Sequence, residues 1–197
     1  SECELRVFNE VVEKGGIVKA ICVPGGAEFS RKELDDLTEF SKIYGAKGMA
    51  WIKSNQDGWQ SPIGKFFTDV QKKTLEDRVG LNQGDLVLFC ADKEKIVYDT
   101  LGNLRKEIAR RRGLVDQNEF RFVWVTDFPL FEYSDEEKSY TSSHHPFTMP
   151  DLDDLEKYGD DAPEKIRSRA YDVVLNGVEL GGGSIRIHSK EIQQKIF

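Results

Sequence analysis

Short apolar runs alternate with stretches of helical spacing through the first 112 residues. "GIVKAICVPGG" (16–26) is a nearly continuous apolar run closed by Pro-Gly-Gly, and predicts a buried strand. "SRKELDDLTEFSKIYGA" (30–46) opens on Ser30 with Glu33 three residues later, the signature of a capping box. Leu34, Leu37, Phe40 and Ile43 then recur at helical spacing, and Gly45 sits where the helix should stop. "GMAWIKS" (48–54) and "DLVLFCA" (85–91) predict two more strands, the second fully buried. Between them "DVQKKTLEDRV" reads as a helix followed by Gly80. A last helix from about Lys93 to Arg112 turns Leu101, Leu104 and Ile108 inward. Ser1 opens the chain within strand-like sequence and without an initiator Met, which predicts a piece of something larger.

The texture changes across Gly113–Glu119, the expected boundary between a first unit over 1–112 and a second over 113–197. "FRFVWVTDF" (120–128) alternates Phe120, Phe122 and Trp124 with Arg121, Val123 and Val125, which predicts a strand in a sheet packed on both sides. "EYSDEEKSYTSSHH" (132–145) reads as a polar loop, and "APEKIRSRAYD" as a short helix with Pro163 in its first turn. "YDVVLNGVEL" and "GSIRIH" predict two strands.

Composition narrows the class. With 39% hydrophobic and 32% charged residues, the 197-residue chain is globular. No apolar run approaches the roughly 18 residues of a membrane span, and no secretory signal opens the chain. The three cysteines, Cys3, Cys22 and Cys90, are few and scattered, as expected of reduced core thiols in a reducing, cytoplasmic setting. Of the net charge of −7, residues 113–197 hold −8 (nine Lys and Arg against 17 Asp and Glu), so the first unit is nearly neutral. Its one basic cluster, "RKEIARRR" (105–112), is either a solvated helix end or a nucleic-acid contact.

Candidate chemistry lies in "NGVELGGGSIRIH" (176–188), where three glycines separate a lone Glu179 from a lone Arg186. If both flanks belong to one sheet, the two charges can share a polar floor, with glycines leaving room for a ligand on the backbone. A flexible structural hairpin is the alternative. His144 and His145 adjoin in "SSHHPFT" but lack zinc spacing, and no serine-hydrolase, Walker or dinucleotide motif is present.

"FRFVWVTDFPLFE", "HHPFT" and "RSRAYDVVLNGVELGGGSIRIH" together resemble the catalytic domain of bacterial-type aspartyl-tRNA synthetases. "VKAICVPGG", "GAKGMAWI" and "GDLVLFCAD" resemble the GAD domain inserted in it, also found in an amidotransferase subunit. The resemblance spans essentially the whole chain and departs mildly at Val178, where the family often has Tyr. It implies an α+β fold: an α/β GAD-type insertion domain over 1–112, then an antiparallel-sheet slice of a class II catalytic domain over 113–197. It implies a ligase that activates aspartate with ATP and passes it to tRNA. In that reading Arg186 pairs with the side-chain carboxylate of aspartate, and His144 contacts the amino acid. Glu179, helped by Asp172, holds Mg2+ against the ATP phosphates, as carboxylates in phosphate sites do.

The family's Phe-Arg-x-Glu/Asp segment for the α-phosphate has no counterpart here, since "EFRFVW" does not fit it. The later glycine-rich ATP segment, the anticodon-binding barrel and the main dimer-forming segment are missing too. The resemblance therefore implies an excised middle portion, inactive by itself, of a homodimeric cytoplasmic ligase. Two rivals remain: a stand-alone RNA- or protein-binding module, and a synthetase of the same subgroup for asparagine or lysine.

Overall fold

The computed structural model describes residues 4–116, 118–134 and 136–197. Cys3 lies outside them. The chain divides into two compact units, Ser1–Val115 and Asp116–Phe197.

The first unit is a four-stranded sheet between helical layers. Its elements are α1 (Arg6–Glu13), β1 (Ile17–Val23), α2 (Arg31–Lys42), β2 (Ala50–Asn55), β3 (Gly58–Gln60), α3 (Asp69–Val79), β4 (Leu86–Asp92) and α4 (Glu94–Arg111). The strand-like opening is thus a helix, α1, whose Phe8 is buried against the sheet. Strand order is β1-β4-β2-β3, and every pairing is antiparallel.

Central β4 explains its own uninterrupted apolar sequence. Leu86, Leu88 and Cys90 face α2 and α4, where they meet Leu34, Leu37, Val97, Leu101, Leu104 and Ile108. Val87 and Phe89 face the other way, toward Phe8, Ile52 and Ile63. A strand covered on both faces favours apolar residues at successive positions, and β4 keeps them from Leu86 to Ala91 before ending at Asp92. β1 is instead an edge strand with Lys19 exposed, so its apolar run is only half-buried. Burial raises the thiol pKa of both Cys22 and Cys90, and both are free.

The capping box of α2 is formed: Ser30 N donates to Glu33 Oε2 at 2.7 Å and Glu33 N to Ser30 Oγ at 3.3 Å. The Ser30 backbone N–H and then its hydroxyl, both donating to that carboxylate, hold the Glu33 carboxyl below its ordinary range. Thr68 and Gln71 form a second box on α3.

The second unit contains β5 (Phe122–Val125), β6 (Phe131–Ser134), β7 (Ser139–Ser142), α5 (Leu152–Tyr158), β8 (Ala170–Leu175), β9 (Val178–Ser184) and α6 (Lys190–Ile196). β5, β8 and β9 form one antiparallel sheet; β6 and β7 form a hairpin. Leu130, Ile166 and Ile196 are its buried centre, with Leu155, Ile187 and Ile192 packed around them.

Four expectations change here. The polar stretch 132–145 is largely a hairpin rather than a loop, because Tyr133 and Tyr140 meet across it with centroids 5.4 Å apart. The helix expected from Pro163 is a single 3-10 turn, Pro163–Lys165. Beyond it the chain is drawn straight: Leu130 N donates to Ile166 O, Asp151 N to Arg167 O and Ser168 N to Phe128 O. β5 is not packed on both sides within its unit, since Phe122, Val123 and Trp124 are 62%, 55% and 65% exposed. "YDVVLNGVEL" is not one strand but two, folded back at Asn176–Gly177.

An Arg167 fork fixes α5. Its Nε and a terminal nitrogen donate to the two oxygens of Asp154 at 2.6 and 3.1 Å, and its backbone N–H donates to the same carboxylate. The fork, followed by the desolvation it opposes, leaves the nearly buried Asp154 carboxyl below the usual carboxylate range.

Two outcomes are expected. Leu104→Ala, at a fully buried position in the first core, should cost about 2–5 kcal/mol in urea unfolding. Asp154→Asn should lower the melting temperature of the second unit at neutral pH. Because the folded carboxyl titrates lower than the unfolded one, this deficit should be full above about pH 4 and fade as pH falls through the folded value. A deficit unchanged in acid would mean that the fork acts by shape rather than charge.

Candidate functional site

The β8–β9 hairpin turns at Asn176 and Gly177, with φ of 50° and 85°. Both lie in the left-handed region, as an Asn-Gly hairpin turn requires. Asn176 also ties the turn to the segment entering β5: its Nδ2 donates to Glu119 O at 2.7 Å, and its Oδ1 accepts from Arg121 N at 2.8 Å.

The three glycines lie inside β9, not between two strands. Gly181, Gly182 and Gly183 pair with Val173, Asp172 and Tyr171. Register slips between Val173 and Val174, so Glu179 pairs with Val174 and Leu180 is left as the extra residue of a β-bulge. The bulge decides which side chains share a face. Seven positions separate Glu179 from Arg186, an odd number that a regular strand would split between opposite faces. One unpaired residue restores the match. Glu179, Gly182 and Ser184 face the same way as Val174, Asp172 and Ala170 across the ladder.

The backbone carries this face past the end of β9. Met149 N donates to Ile185 O at 2.8 Å, Ile187 N donates to Phe147 O at 2.9 Å, and Arg186 pairs with Thr148. Thr148 Oγ1 lies 3.4 Å from Ser184 Oγ, which sets Thr148, and with it Arg186, on the Ser184 face. The polar face therefore runs Glu179, Asp172, Ser184, Arg186. Among the described residues, no ion pair engages Asp172, Glu179 or Arg186, and Glu179 and Arg186 are exposed.

The glycines serve this arrangement unequally. A Cβ on Gly182 would lie 1.9 Å from Asp172 Oδ1, so the carboxylate reaches across from β8 and occupies the space a side chain would take. A Cβ on Gly183 would meet the Tyr171 hydroxyl at 2.9 Å on the opposite face, where Tyr171 packs edge-on against Trp124. Gly181 faces open space.

His144 belongs to the segment that leads into Phe147–Met149, and so to the end of the sheet where Arg186 lies. Its exposed ring packs edge-on against Phe128, with centroids 4.7 Å apart. Among the described residues no hydrogen bond or ion pair joins it to Asp172, Glu179 or Arg186. His145 Nδ1 accepts from Phe147 N at 3.2 Å, which shapes the turn. Thr148, Phe128 and the bulge at Leu180 escaped the sequence reading. Thr148 stood within the quoted histidine motif, but only the ladder shows that it faces Arg186.

The basic end of α4 is largely internally paired. Arg110 and Arg111 both bond Glu107, whose carboxyl is held down to about 2 by these hydrogen bonds, and Arg112 donates to Pro24 O. In the first unit a cavity of about 670 Å³ lies between α3 and Val18, Ala20 and Phe89; it contains none of the sequence-predicted site residues. Among the described residues no helix is long and apolar enough to cross a membrane, and no group of three or more His, Cys, Asp or Glu side chains could hold a metal ion unaided.

Comparison with known proteins gives a consistent result for both units. Residues 8–101 match the GAD domain family. The chain is 56% identical over 195 residues to the aspartate–tRNA(Asp/Asn) ligase of Desulfosudis oleivorans, covering 99% of the chain and 32% of that protein. It is 55% identical over 196 residues to the aspartate–tRNA(Asp/Asn) ligase of Natranaerobius thermophilus, covering 100% and 33%. It is 52% identical over 195 residues to the aspartate–tRNA ligase of Staphylococcus carnosus, covering 98% and 33%. The chain thus spans about a third of the length of these relatives.

Gly177→Ala should destabilise the hairpin by about 1–2 kcal/mol, because a Cβ is strained at this φ. Hydrogen exchange should quicken first at the β8 and β9 amides. Unchanged exchange there would show that the turn does not hold the register.

Proposed function

We propose, on the premise that this chain carries a GAD domain and is homologous throughout to one third of the aspartate–tRNA ligases, that it supplies the amino-acid floor and the metal-side carboxylates of such a ligase. That enzyme joins aspartate to ATP as aspartyl-adenylate and then transfers the aspartyl group to the terminal ribose of tRNA. The reading rests on one observation: the bulged β9 turns Asp172, Glu179, Ser184 and Arg186 onto a single face.

Each side chain suits its role. Arg186, exposed and without a carboxylate partner among the described residues, offers a planar fork to the side-chain carboxylate of aspartate. His144, steadied by Phe128, contacts the amino acid at the same end of the sheet. Asp172 and Glu179, one sheet step apart along the face, fit Mg2+, which takes one or two protein carboxylates and completes its shell with water and phosphate oxygens. Gly182 supports that fit, because the space where its Cβ would stand holds the Asp172 carboxylate. When bound, Mg2+ supplies charge neutralisation for the ATP phosphates. The chain's own groups keep the acids and the guanidinium apart along one sheet face, so that phosphate and substrate carboxylate are drawn to different ends of that face.

The enzyme is a class II, homodimeric, cytoplasmic ligase in this reading, and the chain alone makes no adenylate because the segments that grip the ATP α-phosphate lie elsewhere. Exchange of pyrophosphate by the isolated chain, lost on Glu179→Ala, would overturn that point.

Arg186→Leu in the full-length ligase separates the roles. Aspartate and asparagine are nearly the same size, so charge must distinguish them. Truncating one member of a charge pair that bound aspartate buries costs about 2–5 kcal/mol, and aspartate use should fall by roughly 10² to 10³-fold. The KM for ATP should change far less. Aspartate kinetics near wild type, or an equal change in the KM for ATP, would remove Arg186 from the amino-acid floor.

A further inference from the structure

The triple glycine has a role that the clamp and the metal-side acids leave unexplained. Along β9 and just past its end the polar face reads Glu179, Gly182, Ser184, Arg186, with a gap at Gly182. Asp172 starts on the neighbouring strand, yet its Oδ1 lies 1.9 Å from where a Gly182 Cβ would stand. The carboxylate therefore lies over β9, in line with Glu179, rather than over its own strand. We infer that Gly182 is a positioning residue: by having no side chain it admits the Asp172 carboxylate into the row of Glu179 and sets the spacing of the acid pair. This inference rests on the assignment of that pair to a divalent cation.

The geometry makes the claim separable from folding. Gly182 is not at positive φ, so its backbone conformation is open to any L residue. The atom that a new Cβ strikes hardest is the end of a flexible side chain; the nearest backbone atom, Tyr171 O, stands at 3.0 Å and has to give by only a few tenths of an ångström. Gly182→Ala should therefore leave the strand in place and drive the Asp172 carboxylate away, acting on metal affinity through a residue that never touches the metal. Gly181 is the internal control, since nothing stands within 4 Å of an added Cβ there.

The test is a Mn2+ titration of the isotope-labelled 197-residue chain, read by paramagnetic broadening of its backbone amides. In the wild type, broadening should concentrate at residues 171–173 and 179–183. Gly182→Ala should keep the dispersed amide spectrum and weaken the apparent affinity by about 10-fold, the usual cost of losing support for a metal ligand. Asp172→Asn should do the same, and Gly181→Ala should stay within about twofold of wild type, far less than that support is worth. Wild-type affinity in Gly182→Ala overturns the inference alone. So does collapse of its amide spectrum, which would make the glycine a requirement of the strand. Absence of localised broadening in the wild type removes the cation assignment, and the inference with it.

Discussion

One unpaired residue governs the candidate site. Leu180 interrupts the β8–β9 ladder, and everything beyond it is rotated onto the opposite face from the one a regular strand would give. Without that bulge Glu179 would face away from Asp172, Ser184 and Arg186. The bulge is held from both ends. On one side the Asn176–Gly177 turn sets the pairing of Val178 with Leu175; on the other, the Phe147–Met149 segment fixes the course of Ile185–Ile187. A slip at either anchor would misplace every polar side chain on the face together.

The glycines accommodate what the bulge arranges. Gly182 and Gly183 look to opposite faces, and each yields its space to a side chain of β8: the Asp172 carboxylate on the polar face, the Tyr171 ring on the apolar one. Trp124 packs edge-on against that ring, so the same pair of strands presents acids to one side and aromatics to the other. Conformational freedom is not their main contribution, since neither sits at positive φ; close approach is.

The two units are stabilised differently. In the first, β4 is covered on both faces and two of the covering helices, α2 and α3, carry capping boxes, so burial and local bonding reinforce each other. In the second, the buried centre is small and an ionic fork, Arg167 to Asp154, joins α5 to the extended segment beside it. Exposed Phe122 and Trp124 leave much of the apolar surface of that sheet uncovered by its own unit.

The sequence by itself determined what depends on neighbours within a few residues. The box at Ser30, the end of α2 shortly before Gly45, the buried character of β4 and the inward Leu101, Leu104 and Ile108 follow from local hydrogen bonding and 3.6-residue periodicity. So do the residue types of the candidate site, because Arg, His and carboxylates in the glycine-rich and histidine motifs are recognisable without coordinates. What depends on pairing partners distant in the chain was decided only by the tertiary structure. The Tyr133–Tyr140 contact makes a hairpin of a polar stretch. The ladder from Ile166 to Ser168 cancels a helix that proline seemed to start. The facing of Glu179 toward Arg186 hangs on a bulge that no local pattern announces, because counting residues along a strand gives faces only when every residue is paired.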